Sequence, residues 1–74
     1  MNIVYKPFTS KELYAYIPFS SNSDNAIPLI GSLIKVYGFT YDEATAIIDH
    51  CCSRYVRLID HLAPLMETNP ELFI

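Results

Sequence analysis

Between positions 41 and 65, the residues Tyr41, Ala44, Ile48, Cys51, Tyr55, Leu58, Leu62 and Leu65 recur at alternating spacings of three and four. Such spacing puts every one of them on one stripe of an α-helix, so this half of the chain reads as a single amphipathic rod that must be covered along its length. Ile59 and Met66 widen the stripe on one side and Ile47 on the other, a breadth suited to a globular bundle or to self-association. From 41 to 62 the rod would run roughly 33 Å at about 1.5 Å per residue. Pro64 removes the amide that would bond the Asp60 carbonyl, which predicts a kink or a stop between Leu62 and Pro64.

The segment before the rod predicts a second helix over 26–37. Ala26, Ile27, Leu29, Ile30, Leu33, Ile34, Val36 and Tyr37 leave only Ser32, Lys35 and Gly31 as a wet side, so this helix should be nearly surrounded. Asp24 or Asn25 would cap it, and Pro28 is tolerated in a first turn whose amides have no intrahelical partner. Gly38 can end it in the left-handed conformation, with Phe39 packing back across the junction. Thr40-Tyr41-Asp42-Glu43 has the form of a capping box that opens the next helix. Together these residues predict an antiparallel helical hairpin over 26–67, with helices near 26–37 and 41–63.

Residues 1–19 form an aromatic arm with Tyr5, Phe8, Tyr14, Tyr16 and Phe19, half of the ten aromatic residues in the chain. Rings at that density should fold back onto the helices. Thr9-Ser10-Lys11-Glu12 reads as a capping box opening a short helix that buries Leu13, Tyr16 and Ile17. The alternation of Leu13, Ala15 and Ile17 with Tyr14 and Tyr16 also fits a strand; the helix is favoured. Pro18 closes either version, and Ile3-Val4-Tyr5 is at most an edge strand. The polar hexapeptide over 20–25 is a linker. The tail over 68–74 holds one short turn and ends in Leu72-Phe73-Ile74, the apolar-any-apolar form that groove-binding domains accept.

The 74 residues make one domain, all-α, and a domain so small buries only about 60% of its unfolded surface. An apolar content of 51% is high for so little interior, and the surplus points to a partner or a second copy. A net charge of −3 is too mild for a DNA mimic or a nucleic-acid binder. No apolar run reaches the roughly 20 residues of a membrane span, and the N-terminus lacks a secretory pattern, so a cytoplasmic location is expected. Adjacent Cys51 and Cys52 cannot bridge without strained geometry and read as free thiols.

On the expected rod, His50, Arg54, Arg57 and His61 recur at four, three and four, giving one basic row about 100° from the apolar seam. Such a row is a docking edge for an acidic protein surface. The same residues also fit plain solvated side chains along the core boundary, with Arg57 paired to Asp60. Asp42, Asp49, Ser53 and Asp60 fall opposite the seam and read as solvent face. A DNA recognition helix is disfavoured, because Asp42 and Glu43 would meet the phosphates first.

Asp49, His50 and Ser53 point different ways on a helix, as do His50 and Cys52, and no oxyanion donor accompanies them, so no catalytic group is assigned. Two histidines eleven apart and two adjacent cysteines match no zinc spacing, so no metal or cofactor is assigned either. Cys51 belongs to the seam as a small hydrophobe, and Cys52 borders it.

Gly38-Phe39, followed by Ala44, Ile47 and Ile48, resembles the first loop and second helix of ubiquitin-associated-type three-helix domains over about fifteen positions. In that family the Gly-Phe loop contributes to an apolar binding patch, so the resemblance implies Phe39 and its neighbours as contacts. This chain departs from the pattern with Tyr37 where methionine is usual, and with a seam running unbroken to Leu62 where the family's second helix is short.

The function expected from these residues is non-enzymatic protein binding, as an adaptor, a subunit or a small inhibitor of the kind phages and mobile elements encode. Docking would use His50, Arg54, Arg57 and His61, or seam left over from the core. The alternative is a structural homodimer in which two hairpins make a four-helix bundle.

Overall fold

The computed structural model describes residues 4–73 and places them in four α-helices and two short 3₁₀ turns, with no strand among the described residues. Helix α1 is Ser10–Tyr14. Its capping box forms as the sequence predicts: the Glu12 amide donates to Thr9 Oγ1 at 3.3 Å and the Thr9 amide donates to Glu12 Oε1 at 3.0 Å. The helix is shorter than the segment over 10–17, and only its first half follows the helical reading. Leu13 and, beyond the helix end, Ile17 are buried, whereas Tyr16, expected inside, is 59% exposed. Val4 and Tyr5 take no regular structure, and Ile3 lies outside the described residues.

The linker is capped by Ser23 rather than by Asp24 or Asn25. The Asn25 amide donates to Ser23 Oγ at 3.2 Å and opens a 3₁₀ turn, Asp24–Ala26, that feeds α2 at Ile27–Lys35. A hydroxyl one residue earlier than expected serves because the 3₁₀ turn starts the helical path early. Pro28 sits in the first turn of α2. Leu33 and Ile30 face the core, and Ser32, assigned to the wet side, is buried too. Ile27 is 53% exposed, so α2 is covered less completely than its composition predicts.

Gly38 ends this segment at φ +79°, and the Phe39 amide donates back to the Leu33 carbonyl at 3.0 Å. Helix α3, Tyr41–Arg54, then starts on the Thr40 capping box, with the Glu43 amide on Thr40 Oγ1 at 3.1 Å and the Thr40 amide on Glu43 Oε1 at 2.9 Å.

The single rod over 41–63 is not what forms. α3 ends at Arg54 because Tyr55 turns left-handed, φ 56° and ψ 42°, and a separate helix α4 runs over Leu58–Thr68. The Val56 amide closes the end by donating to the Cys51 carbonyl at 3.2 Å, the six-to-one bond of a Schellman end that usually has glycine at the left-handed position. Asp60 then restarts the helix, accepting from the Arg57 amide at 3.3 Å. Pro64 neither stops nor precedes the break, since it lies inside α4.

The break folds the seam rather than destroying it: Ala44, Ile48, Cys51, Leu58 and Leu62 are all buried, while Tyr41 and Tyr55 turn outward at 63% and 80% exposure. α2 packs on α3, α1 on α4, and α3 on α4. One apolar cluster gathers Phe8, Leu13, Ile30, Leu33, Ile48 and Leu62 from all of them.

Two contacts hold the arm down. Phe8 stacks on Tyr37 with ring centroids 5.2 Å apart, and its amide donates to the Tyr37 hydroxyl at 2.7 Å. Burial raises the Tyr37 pKa, partly countered by that amide. Tyr5 lies across Gly31, where an added Cβ would overlap the ring. The pattern Leu72-Phe73-Ile74 lies outside the residues whose side chains are described.

Candidate functional site

The basic row is built on the rod, so the break at Tyr55 rearranges it. Eleven residues of straight helix would separate His50 from His61 by about 16 Å. Here α4 packs on α3, and the two rings meet edge to face with centroids 4.8 Å apart. His61 Nε2 is shielded from water and makes no hydrogen bond. Burial first and the neighbouring His50 second push the His61 pKa below its ordinary value, with Asp60 pulling the other way. The histidines therefore meet across the α3–α4 contact, with His50 still exposed.

Arg54 stays exposed at the end of α3. Arg57, at the start of α4, makes the predicted pair with Asp60, but at 3.7 Å from Nε to Oδ2 on open surface the contact is longer than a hydrogen bond and worth little. Its guanidinium carbon stands 5.5 Å over the ring of Tyr14 on α1, within reach of a cation–π attraction. Periodicity along one helix had no means of bringing Tyr14 to Arg57, because that contact depends on α1 packing against α4.

What assembles at the elbow between α3 and α4 is consequently Arg54, Tyr55 and Arg57, with Tyr14 under the second arginine. Tyr55 is 80% exposed and Tyr14 58%. Tyr55 is the only residue other than glycine with positive φ among the described residues. A tyrosine there costs about 1 kcal/mol or more that glycine would avoid. Beyond Arg54 and Arg57, which the sequence already singles out, the trace of the break is Asp60, three residues after Arg57, in the position of a helix-start carboxylate.

The groups weighed for catalysis have other bonds. The Asp49 carboxylate, read as bare solvent face, accepts from the Ser21 amide and hydroxyl, each at 2.8 Å, and so ties the linker to α3. The Ser53 hydroxyl donates to the backbone carbonyl of His50 at 3.5 Å. Burial pushes the Cys51 thiol up to about 11, with Asp60 adding to the rise, which keeps it protonated and inert near neutral pH. Cys52 is half-buried and also free. Among the described residues no three His, Cys, Asp or Glu side chains group as metal ligands, and no helix is long and apolar enough to cross a membrane.

Phe39, implied as a contact by the ubiquitin-associated-type resemblance, is half-buried and packs against the core. The break at Tyr55 shortens the second helix of that comparison. No protein-family model, curated protein or solved structure matches this chain.

Proposed function

We propose that the chain is a non-enzymatic protein-binding module that docks on an acidic protein surface through the elbow between α3 and α4. The observation that carries this reading is Tyr55, an exposed ring held at a left-handed position where a smaller residue would be more stable. Backbone strain retained at the surface is a signature of use rather than of packing. Its neighbours support the same reading. Both arginines of the chain flank it, and a second exposed tyrosine completes the patch. Tyrosine and arginine are the side chains most enriched where binding energy concentrates, since each brings large contact area with a polar tip.

Of the predicted contacts, Arg54 and Arg57 belong to this interface, and His50 and His61 meet each other across the α3–α4 contact. The test is quantitative capture of partner by the wild-type chain, by Arg54→Glu/Arg57→Glu, and by Lys6→Glu/Lys35→Glu as a control of equal charge change on other segments of the chain. Capture should fall tenfold or more, about 1.4 kcal/mol or greater, for the elbow variant alone, with unchanged circular dichroism. Equal loss in the control, or no loss at the elbow, overturns the assignment.

A further inference from the structure

An apolar cleft of about 180 Å³ opens between α1, the segment that follows it, α2 and α4. Its walls are Ala15, Tyr16, Ile17, Phe19, Leu29 and Leu58, and its charged rim group, Glu12, already accepts from the Thr9 amide and hydroxyl at 3.0 Å each. Ile17 and Leu58 are buried and make a fixed floor. We infer that this cleft receives one bulky apolar side chain of the docking partner, while a carboxylate on the same partner segment meets Arg57. This inference rests on the elbow reading above and names the chemistry of the partner.

Size decides against a free small molecule. Ligand pockets run to roughly 300–1,000 Å³, whereas an apolar hollow of about 150 Å³ takes a guest the size of benzene. A volume of 180 Å³ therefore suits one leucine, methionine or phenylalanine side chain. Position ties the cleft to the elbow. Ala15 and Leu58 in its wall are the chain neighbours of Tyr14 and Arg57, so on both elements the cation–π pair lies one residue, about 3.8 Å of backbone, from the cleft.

Charge decides the flank. The one ion pair of Arg57 is a long surface contact with Asp60, and the face of Tyr14 under its guanidinium leaves the edge N–H groups to donate, so a partner carboxylate can engage it without breaking a buried pair. An anchor in a dry pocket beside a charged rim contact is the common layout of a binding hot spot.

The experiment selects random dodecapeptides displayed on phage against the immobilised full chain. Enriched sequences should carry Leu, Met or Phe with Asp or Glu within about three residues. A synthetic peptide of that pattern should shift the amide resonances of Ala15, Ile17, Leu29 and Leu58 in the wild-type chain, a readout that needs no variant. It should bind Ala15→Trp, which fills the cleft from its exposed edge, about tenfold or more weakly. Arg57→Glu should weaken it similarly.

No enrichment, enrichment without the acid, or shifts away from the cleft overturn the inference. Peptides that require Arg54 and Tyr55 but tolerate Ala15→Trp overturn the cleft and leave the elbow standing. A wild-type dimer in sedimentation that Ala15→Trp dissociates also overturns it, because the occupant is then a second copy.

Discussion

His61 is a residue whose protonation the fold opposes. Burial opposes the cation most and the neighbouring His50 on α3 next, while Asp60 favours it, and the His61 Nε2 makes no hydrogen bond. The folded-state pKa therefore lies below the unfolded value of about 6.5. Neutral His61 stabilises the fold fully above that pH, and the contribution is lost as pH falls from about 6.5 through the lower folded value. Urea midpoints across pH 7.5 to 5 should decline, and His61→Gln should flatten the decline. A wild-type profile that stays level, or one that His61→Gln leaves unchanged, would show that the pair does not resist protonation.

Whether an element's ends can be read from sequence depends on how local their causes are. The boxes at Thr9 and Thr40 each close within three residues, and the turn at Gly38 announces itself by residue type, so all three appear as read. The end of α3 does not, because Tyr55 continues the three-four spacing and is not one of the small residues that usually take a left-handed cap. The Ser21–Asp49 clamp joins positions 28 apart and has no periodic signature. The break also changes the geometry of the basic row: His50 and His61 meet ring to ring across α3 and α4, and Arg57 lies over Tyr14.

Helix α2 offers a test at this scale. Gly31→Ala adds a Cβ where the Tyr5 ring lies, so the ring must leave. In a Tyr5→Ala background the same change should stabilise by about 0.5–1 kcal/mol, the ordinary helical advantage of alanine. In the wild-type background that gain should vanish or reverse, a coupling of about 1 kcal/mol in urea denaturation. Equal gains in both backgrounds would mean that Tyr5 does not seat on α2.

For the whole molecule, the decisive feature is that a chain with little interior gives up a straight rod. A domain of this size is stable by only about 4–11 kcal/mol, so a strained tyrosine is a sizeable concession. Bending the chain there returns Leu58 and Leu62 to the common core and leaves Tyr55 and Arg54 exposed at the elbow. The most direct test is the thermal midpoint of Tyr55→Gly measured beside its partner capture. Relief of the left-handed strain, less the extra unfolded-state freedom of glycine, should raise stability by about 0.5–1 kcal/mol, roughly 2–8 °C, while capture is lost. A lower midpoint would make Tyr55 a structural residue, and a higher midpoint with capture intact would remove the elbow from the binding surface.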